Sequence, residues 1–153
     1  MPGADRSLPQ GAVVVPLRVA DGHPAFLAMA RHPMFAALTH DERQRLLRAG
    51  RVEQLVGGQV LYSRGDASTR FFLILEGQVN LSLHSRDGME KIIDIQGPGQ
   101  VFAEAVAFMG RPVYQMTATA ATAARVLGIP NQEYIEIVLG DPRACRQVLQ
   151  HLS

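Results

Sequence analysis

The chain has 153 residues, 47% of them hydrophobic and 19% charged, enough to bury one globular core without disulfides or metal clusters. A net charge of +1 leaves no electrostatic footprint for nucleic acid or a membrane surface. The single cysteine, Cys145, excludes an internal disulfide framework and an iron–sulfur cluster held by several thiolates, and it points to a reducing, cytoplasmic compartment.

Residues 1–22 carry Pro2, Gly3, Pro9, Gly11, Pro16 and Gly22, a density of breakers that predicts an irregular leader with one extended piece inside Ala12 to Val19. The only apolar run there, Ala12 to Val15, stops at Pro16, so no signal peptide or membrane span is expected. From Pro24 the spacing of Phe26, Leu27, Ala30 and Met34 is helical, and Thr39-His40-Asp41-Glu42 reads as a capping box ahead of Leu46 and Leu47. Two helices are therefore predicted over 24–50.

After Gly50 the period changes. Gly57-Gly58, Gly65-Asp66, Gly77, Asp87-Gly88 and Gly97-Pro98-Gly99 punctuate short apolar segments, as antiparallel strands require. Val79, Leu81 and Leu83 alternate with Asn80, Ser82 and His84, and Asp87-Gly88 leads into Ile92, Ile93 and Ile95. So many short strands need closed edges, which predicts a mainly β fold, a jelly-roll barrel over 51–129. Val101 to Met109 interrupts it with one or two helical turns. Beyond Pro130, Asn131 can cap a helix to Leu139, and Asp141-Pro142 opens another with Cys145, Val148, Leu149 and Leu152 on one face, so helices occupy 131–153. Residues 23–153 read as one domain.

Leu61 to Gly77 carries a Gly65-Asp66 turn, an apolar run Phe71 to Ile74 and a closing Gly77, and in this it resembles the cyclic-nucleotide-binding sensor domain of the Crp/Fnr transcription regulators. Nucleotide-binding members of that family have a Gly-Glu pair, whose Glu accepts from the ribose hydroxyl, followed by an Arg-Ser-Ala motif whose Arg pairs with the cyclic phosphate. Here Ala103-Glu104 keeps only the Glu, and Tyr114-Gln115-Met116 stands where the Arg-Ser-Ala motif is expected. Without that guanidinium a buried phosphate loses a charge-assisted pair, so cyclic-nucleotide binding is disfavoured, with Arg111 as the nearby substitute.

Phe102-Ala103-Glu104-Ala105, Phe108-Met109, Pro112 and Tyr114 resemble more closely the dissimilatory nitrate respiration regulator branch, whose members sense nitric oxide and are thought to carry haem. That branch has a histidine pair near the position of His32, which stands here beside Pro33. The resemblance implies haem as cofactor, His32 as metal ligand, and a pocket drawing on Met34, Phe102, Glu104, Phe108, Met109, Tyr114 and Met116. It also implies a diatomic gas or other small ligand as effector and a homodimer through the C-terminal helix. Haem needs an apolar slot and at least one axial ligand; Val106, Phe108, Met109, Met116, Phe26, Leu27 and Met34 could wall one, or could fill the barrel core and its helical lid.

Other readings of single residues stay open. Glu104 could cap the short helix after it, Tyr114 could cover the barrel mouth, and Cys145 could serve core or dimer packing. His40 and His84 are expected in solvent, His23 in the leader, and His151 against whatever the last helix meets. No His-x-His, Cys-x-x-Cys, Gly-x-Ser-x-Gly or Walker motif occurs, so no enzyme is expected. DNA binding belongs to a helix-turn-helix domain not expected within this chain, which reads as the sensor half of a regulator or a stand-alone module. A ligand-free interaction module is a third reading.

Overall fold

The computed structural model describes residues 13–15 and 23–153. Its order is β1 (Val13–Val15), α1 (Pro24–Arg31), α2 (Pro33–Ala36), α3 (His40–Ala49), β2 (Arg51–Leu55), β3 (Val60–Tyr62), β4 (Arg70–Glu76), β5 (Val79–His84), β6 (Glu90–Gln96), β7 (Val101–Phe102), a single 3-10 turn Ala105–Phe108, β8 (Thr117–Ala120), β9 (Ala124–Pro130), α4 (Asn131–Leu139) and α5 (Pro142–Leu152). The rest of the predicted leader lies outside the described residues. No helix among those described is long and apolar enough to cross a membrane.

Two antiparallel sheets, ordered β1-β2-β9-β4-β7 and β3-β8-β5-β6, form the jelly roll that the glycine punctuation predicted. The apolar run of β4 is buried on both faces, which is why it lacks alternation. Phe71 and Leu73 face outward into a core shared with Met29, Phe35, Leu46 and Tyr134 of the helices. Phe72 and Ile74 face inward against Tyr62, Val79, Leu81 and Phe102.

Several expectations are corrected. Gly77 closes no hairpin: β4 and β5 belong to different sheets, and the turn carries the chain from one to the other. The predicted first helix is broken at His32-Pro33 into α1 and α2, because a proline ring has no N–H to give and starts a helix better than it continues one. Leu27, off the buried face of α1 formed by Ala25, Phe26 and Met29, lies 46% exposed rather than in a lid. His23, expected in the leader, is the N-cap of α1, its Nδ1 accepting from the Ala25 N–H. The capping box forms as read, with Thr39 and Glu42 bonded reciprocally.

Asn131 is the first residue of α4 rather than its cap, and its amide turns instead to Ser68. The apolar stripe of α5 divides: Val148 is buried, whereas Leu149 and Leu152 are exposed. A register shift between Leu81 and Ser82 against β6 upsets the alternation of β5, so that Ser82 is buried and Leu83 only partly so.

Candidate functional site

β7 delivers Phe102 into the barrel interior, and the chain then turns through Ala103 at φ +66°, the only non-glycine among the described residues with a positive φ. The backbone at Ala103 thus takes a left-handed conformation that favours glycine, the residue the Gly-Glu pair would have here. An L side chain held there costs about 1–2 kcal/mol. The carboxylate of Glu104 makes no cap bond to the turn that follows, so the capping role is not realised. Its Oε1 lies 3.5 Å from Nε2 of His151, on the last turn of α5.

Tyr114, where the phosphate arginine would stand, does not cover the barrel mouth but fills the interior. It is 4% exposed, stacks on Tyr62 with ring centroids 3.7 Å apart, and donates its hydroxyl to the Arg70 carbonyl at 2.8 Å. Desolvation raises its pKa, as expected for a phenol kept neutral as a donor. Phe72 and Phe102 complete the stack with Tyr62, and Met116 packs against it. Arg111 and Gln115 are exposed, so neither brings a fork into the interior.

The sequence reading missed Glu53. It is the one buried carboxylate among the described residues, 1% exposed, with Arg51 Nε 3.4 Å from its Oε1. Along β2, residues 51, 53 and 55 share a face, and Leu55 lies in the barrel core; this alternation was the signal that could have found the pair. Gly128 leaves room beside it, since a Cβ there would lie 3.5 Å from Glu53 Oε1 and 3.3 Å from Arg70 Cδ.

His32 sits at the α1–α2 break. Its Nδ1 accepts from the Met34 N–H at 3.1 Å as the N-cap of α2, and its ring meets His151 edge-on with centroids 5.2 Å apart. Burial first, and His151 second, push its pKa down to about 4, so the imidazole is neutral at physiological pH. It lines a cavity of about 520 Å³ between the N-terminal helices and the barrel, whose walls include Ala28, Pro33, Ile74 and Leu75, with Arg31 also on the lining.

The other predicted residues do not converge on His32. Met34 is 1% exposed within the helical core, where its carbonyl accepts from the Tyr134 hydroxyl. Phe102, Tyr114 and Met116 belong to the barrel interior. Phe108 and Met109, 38% and 47% exposed, line a different cavity. Glu104 reaches the His32 neighbourhood through His151. Among the described residues no group of three or more His, Cys, Asp or Glu could hold a metal ion.

The fold agrees with comparisons to known proteins. The sensor domain of the transcriptional regulator DNR from Pseudomonas aeruginosa superposes with a TM-score of 0.79 at 25% identity, over 82% of this chain and 84% of that one. A CRP-like cAMP-activated global transcriptional regulator of Mycobacterium tuberculosis is 25% identical over 96 residues, 63% of this chain and 42% of that protein. A potassium channel protein of Rhodopseudomonas palustris is 26% identical over 122 residues, 80% of this chain and 29% of that protein. The chain spans less than half the length of these two relatives. The model of the cyclic nucleotide-binding domain matches residues 52–141, from the second residue of β2 to the cap of α5, and on that match the chain belongs to the cyclic nucleotide-binding domain family.

Proposed function

We propose that this chain is the effector-sensing domain of a Crp/Fnr-type transcription regulator of the nitrate-respiration branch, that haem in the His32 cavity reports nitric oxide or another diatomic gas, and that the signal leaves through α5 toward a dimer partner. The observation that carries this reading is His32 itself: one neutral imidazole lines the cavity, caps α2 and touches α5. The likeness to the DNR sensor domain supports the branch.

The donor set fits haem. The lining mixes apolar side chains such as Ala28, Pro33 and Leu75 with polar surface from His32, Arg31 and exposed backbone, and a neutral imidazole is the usual form for an iron ligand. Arg31 supplies a cation suited to a carboxylate. Bound haem would supply an iron atom with a coordination position for a diatomic gas.

The rest follows from the chain's own atoms. Nδ1 accepts from Met34, so the ring proton sits on Nε2. Were Nε2 to hold iron, the ring proton would lie on Nδ1, which could no longer accept from the Met34 N–H. The N-cap of α2 would then be lost, a cost of about 1 kcal/mol, and because α2 packs on α5 occupancy would favour a different placement of α5, provided the two placements differ in affinity for the occupant.

The test is titration with haemin followed by visible spectra before and after nitric oxide. A saturable spectrum distinct from free haemin that is lost in His32→Ala supports the reading; a spectrum identical to free haemin removes it. Cyclic AMP is expected to leave the melting temperature unchanged, because Tyr114 stands where the phosphate-pairing arginine is expected and supplies no cation; an increase would restore the nucleotide reading.

A further inference from the structure

We propose that the outer edge of β6 pairs with β6 of a second copy of this chain, in one antiparallel register selected by Lys91 and Asp94. β6 ends its sheet, with β5 on one side and no strand on the other among the described residues. Lys91, Ile92, Ile93, Asp94 and Ile95 are all exposed, so the edge is open along its length. A bulge decides which of them face the same way. The ladder to β5 pairs Leu83 with Lys91 and Ser82 with Ile92, then Leu81 with Asp94, and Ile93 is the extra residue.

Leu81 and Leu83 are two apart on β5 and share a face, and residues directly opposed across an antiparallel ladder share one too. Lys91 and Asp94 therefore point the same way although they are three apart; in an unbulged strand they would lie on opposite faces. By the same count the partners of Asn80 and Ser82, Ile95 and Ile92, lie together on the other face. One strand thus presents a cation and an anion on one face, two ladder positions apart, with the extra isoleucine between them.

A two-fold axis normal to the sheet sets an identical edge alongside, antiparallel and with the same face up. Both edges carry the extra residue, so they stay in step when bulge meets bulge. In that register Lys91 of each copy opposes Asp94 of the other, Glu90 opposes Ile95, and the isoleucines at 92 and 93 meet around the axis. Registers that preserve the faces come in steps of two ladder positions. The neighbouring ones set Lys91 against Lys91 or Asp94 against Asp94, and like charges directly opposed destabilise a sheet. The same two charges that reject other alignments therefore favour this one. An edge of seven residues, Glu90–Gln96, makes a small interface, so the pairing is reversible. It uses no residue of α5 and no residue of the His32 cavity, and so stands apart from the haem reading.

The experiment is sedimentation equilibrium of the purified chain over a range of concentrations, with a charge exchange across the edge. The wild-type chain is expected to self-associate reversibly. Lys91→Asp opposes carboxylate to carboxylate and Asp94→Lys opposes ammonium to ammonium, so each variant alone should associate about tenfold more weakly, with a smaller defect in high salt. Mixed in equal amounts, the two variants oppose unlike charges at both positions and should recover the wild-type association, a result that also requires both to be folded. Should α5 dimerise as well, the same pattern appears in the step from dimer to larger species, because a contact through α5 is indifferent to charges on β6. No such association in the wild type, association unchanged by either substitution, or a mixture as weak as its components would each overturn the proposal.

Discussion

Glu104 Oε1 lies 3.5 Å from His151 Nε2, tying the segment after β7 to the end of α5. Family resemblance gives this carboxylate to a ribose hydroxyl; here its partner is intramolecular. Glu104→Gln should lower stability by no more than about 1 kcal/mol, the scale of a partly exposed pair, yet speed deuterium exchange in the last turn of α5. Unchanged exchange there would show that the contact does not tether the helix.

His32 sets a pH dependence in the haem-free protein. Its folded pKa is pushed down to about 4 from an ordinary 6.5, so between those values the unfolded chain takes up a proton that the folded chain refuses. Stability is therefore fully present above about pH 6.5 and falls as the pH drops toward 4. His32→Asn keeps an acceptor for the Met34 N–H and should flatten the melting temperature across this window. Parallel curves for the two proteins would assign the slope to other groups.

Ala103 at φ +66° predicts a stabilising glycine. Relief of the left-handed strain is worth about 1–2 kcal/mol, and the greater freedom of glycine in the unfolded chain returns about 0.5–1 kcal/mol of it. Ala103→Gly should raise the urea midpoint by the equivalent of about 0.5–1 kcal/mol with an unchanged slope. A lower midpoint would mean that the Cβ makes contacts outweighing the strain.

Two glycines with similar dihedrals should respond unequally to alanine. At Gly77, φ +82°, a Cβ would fall 2.2 Å from the Ala123 carbonyl oxygen, whereas at Gly65, φ +90°, it would meet nothing within 4 Å. Gly65→Ala should cost about 1–2 kcal/mol through the dihedral alone, and Gly77→Ala more than about 3 kcal/mol because backbone must move. Equal losses in urea unfolding would contradict the close approach at the crossover between sheets.

The barrel was legible because its turns are spelled in glycine and because a strand buried on both faces must be apolar throughout, as Phe71 to Ile74 are. What sequence could not give was the partition of residues among faces. Phe102 and Met34 look alike as apolar candidates, but the pleat sends Phe102 into the barrel and the α1–α2 break leaves Met34 in the helical core. Glu53 was passed over because a charged residue reads as surface until its alternation with Leu55 is counted. His32 and His151 are brought together only by the packing of α2 on α5, a long-range contact that no local pattern encodes.

Strand β6 carries a liability that concerns folding more than the folded state. It ends its sheet, and Ile92, Ile93 and Ile95 are 47%, 47% and 56% exposed, so its outer edge can template another chain before or after β5 pairs. Lys91 and Asp94 interrupt the apolar run and act as gatekeepers. Asp94→Val should leave the melting temperature nearly unchanged while light scattering during refolding rises, because the charge at 94 guards solubility rather than stability.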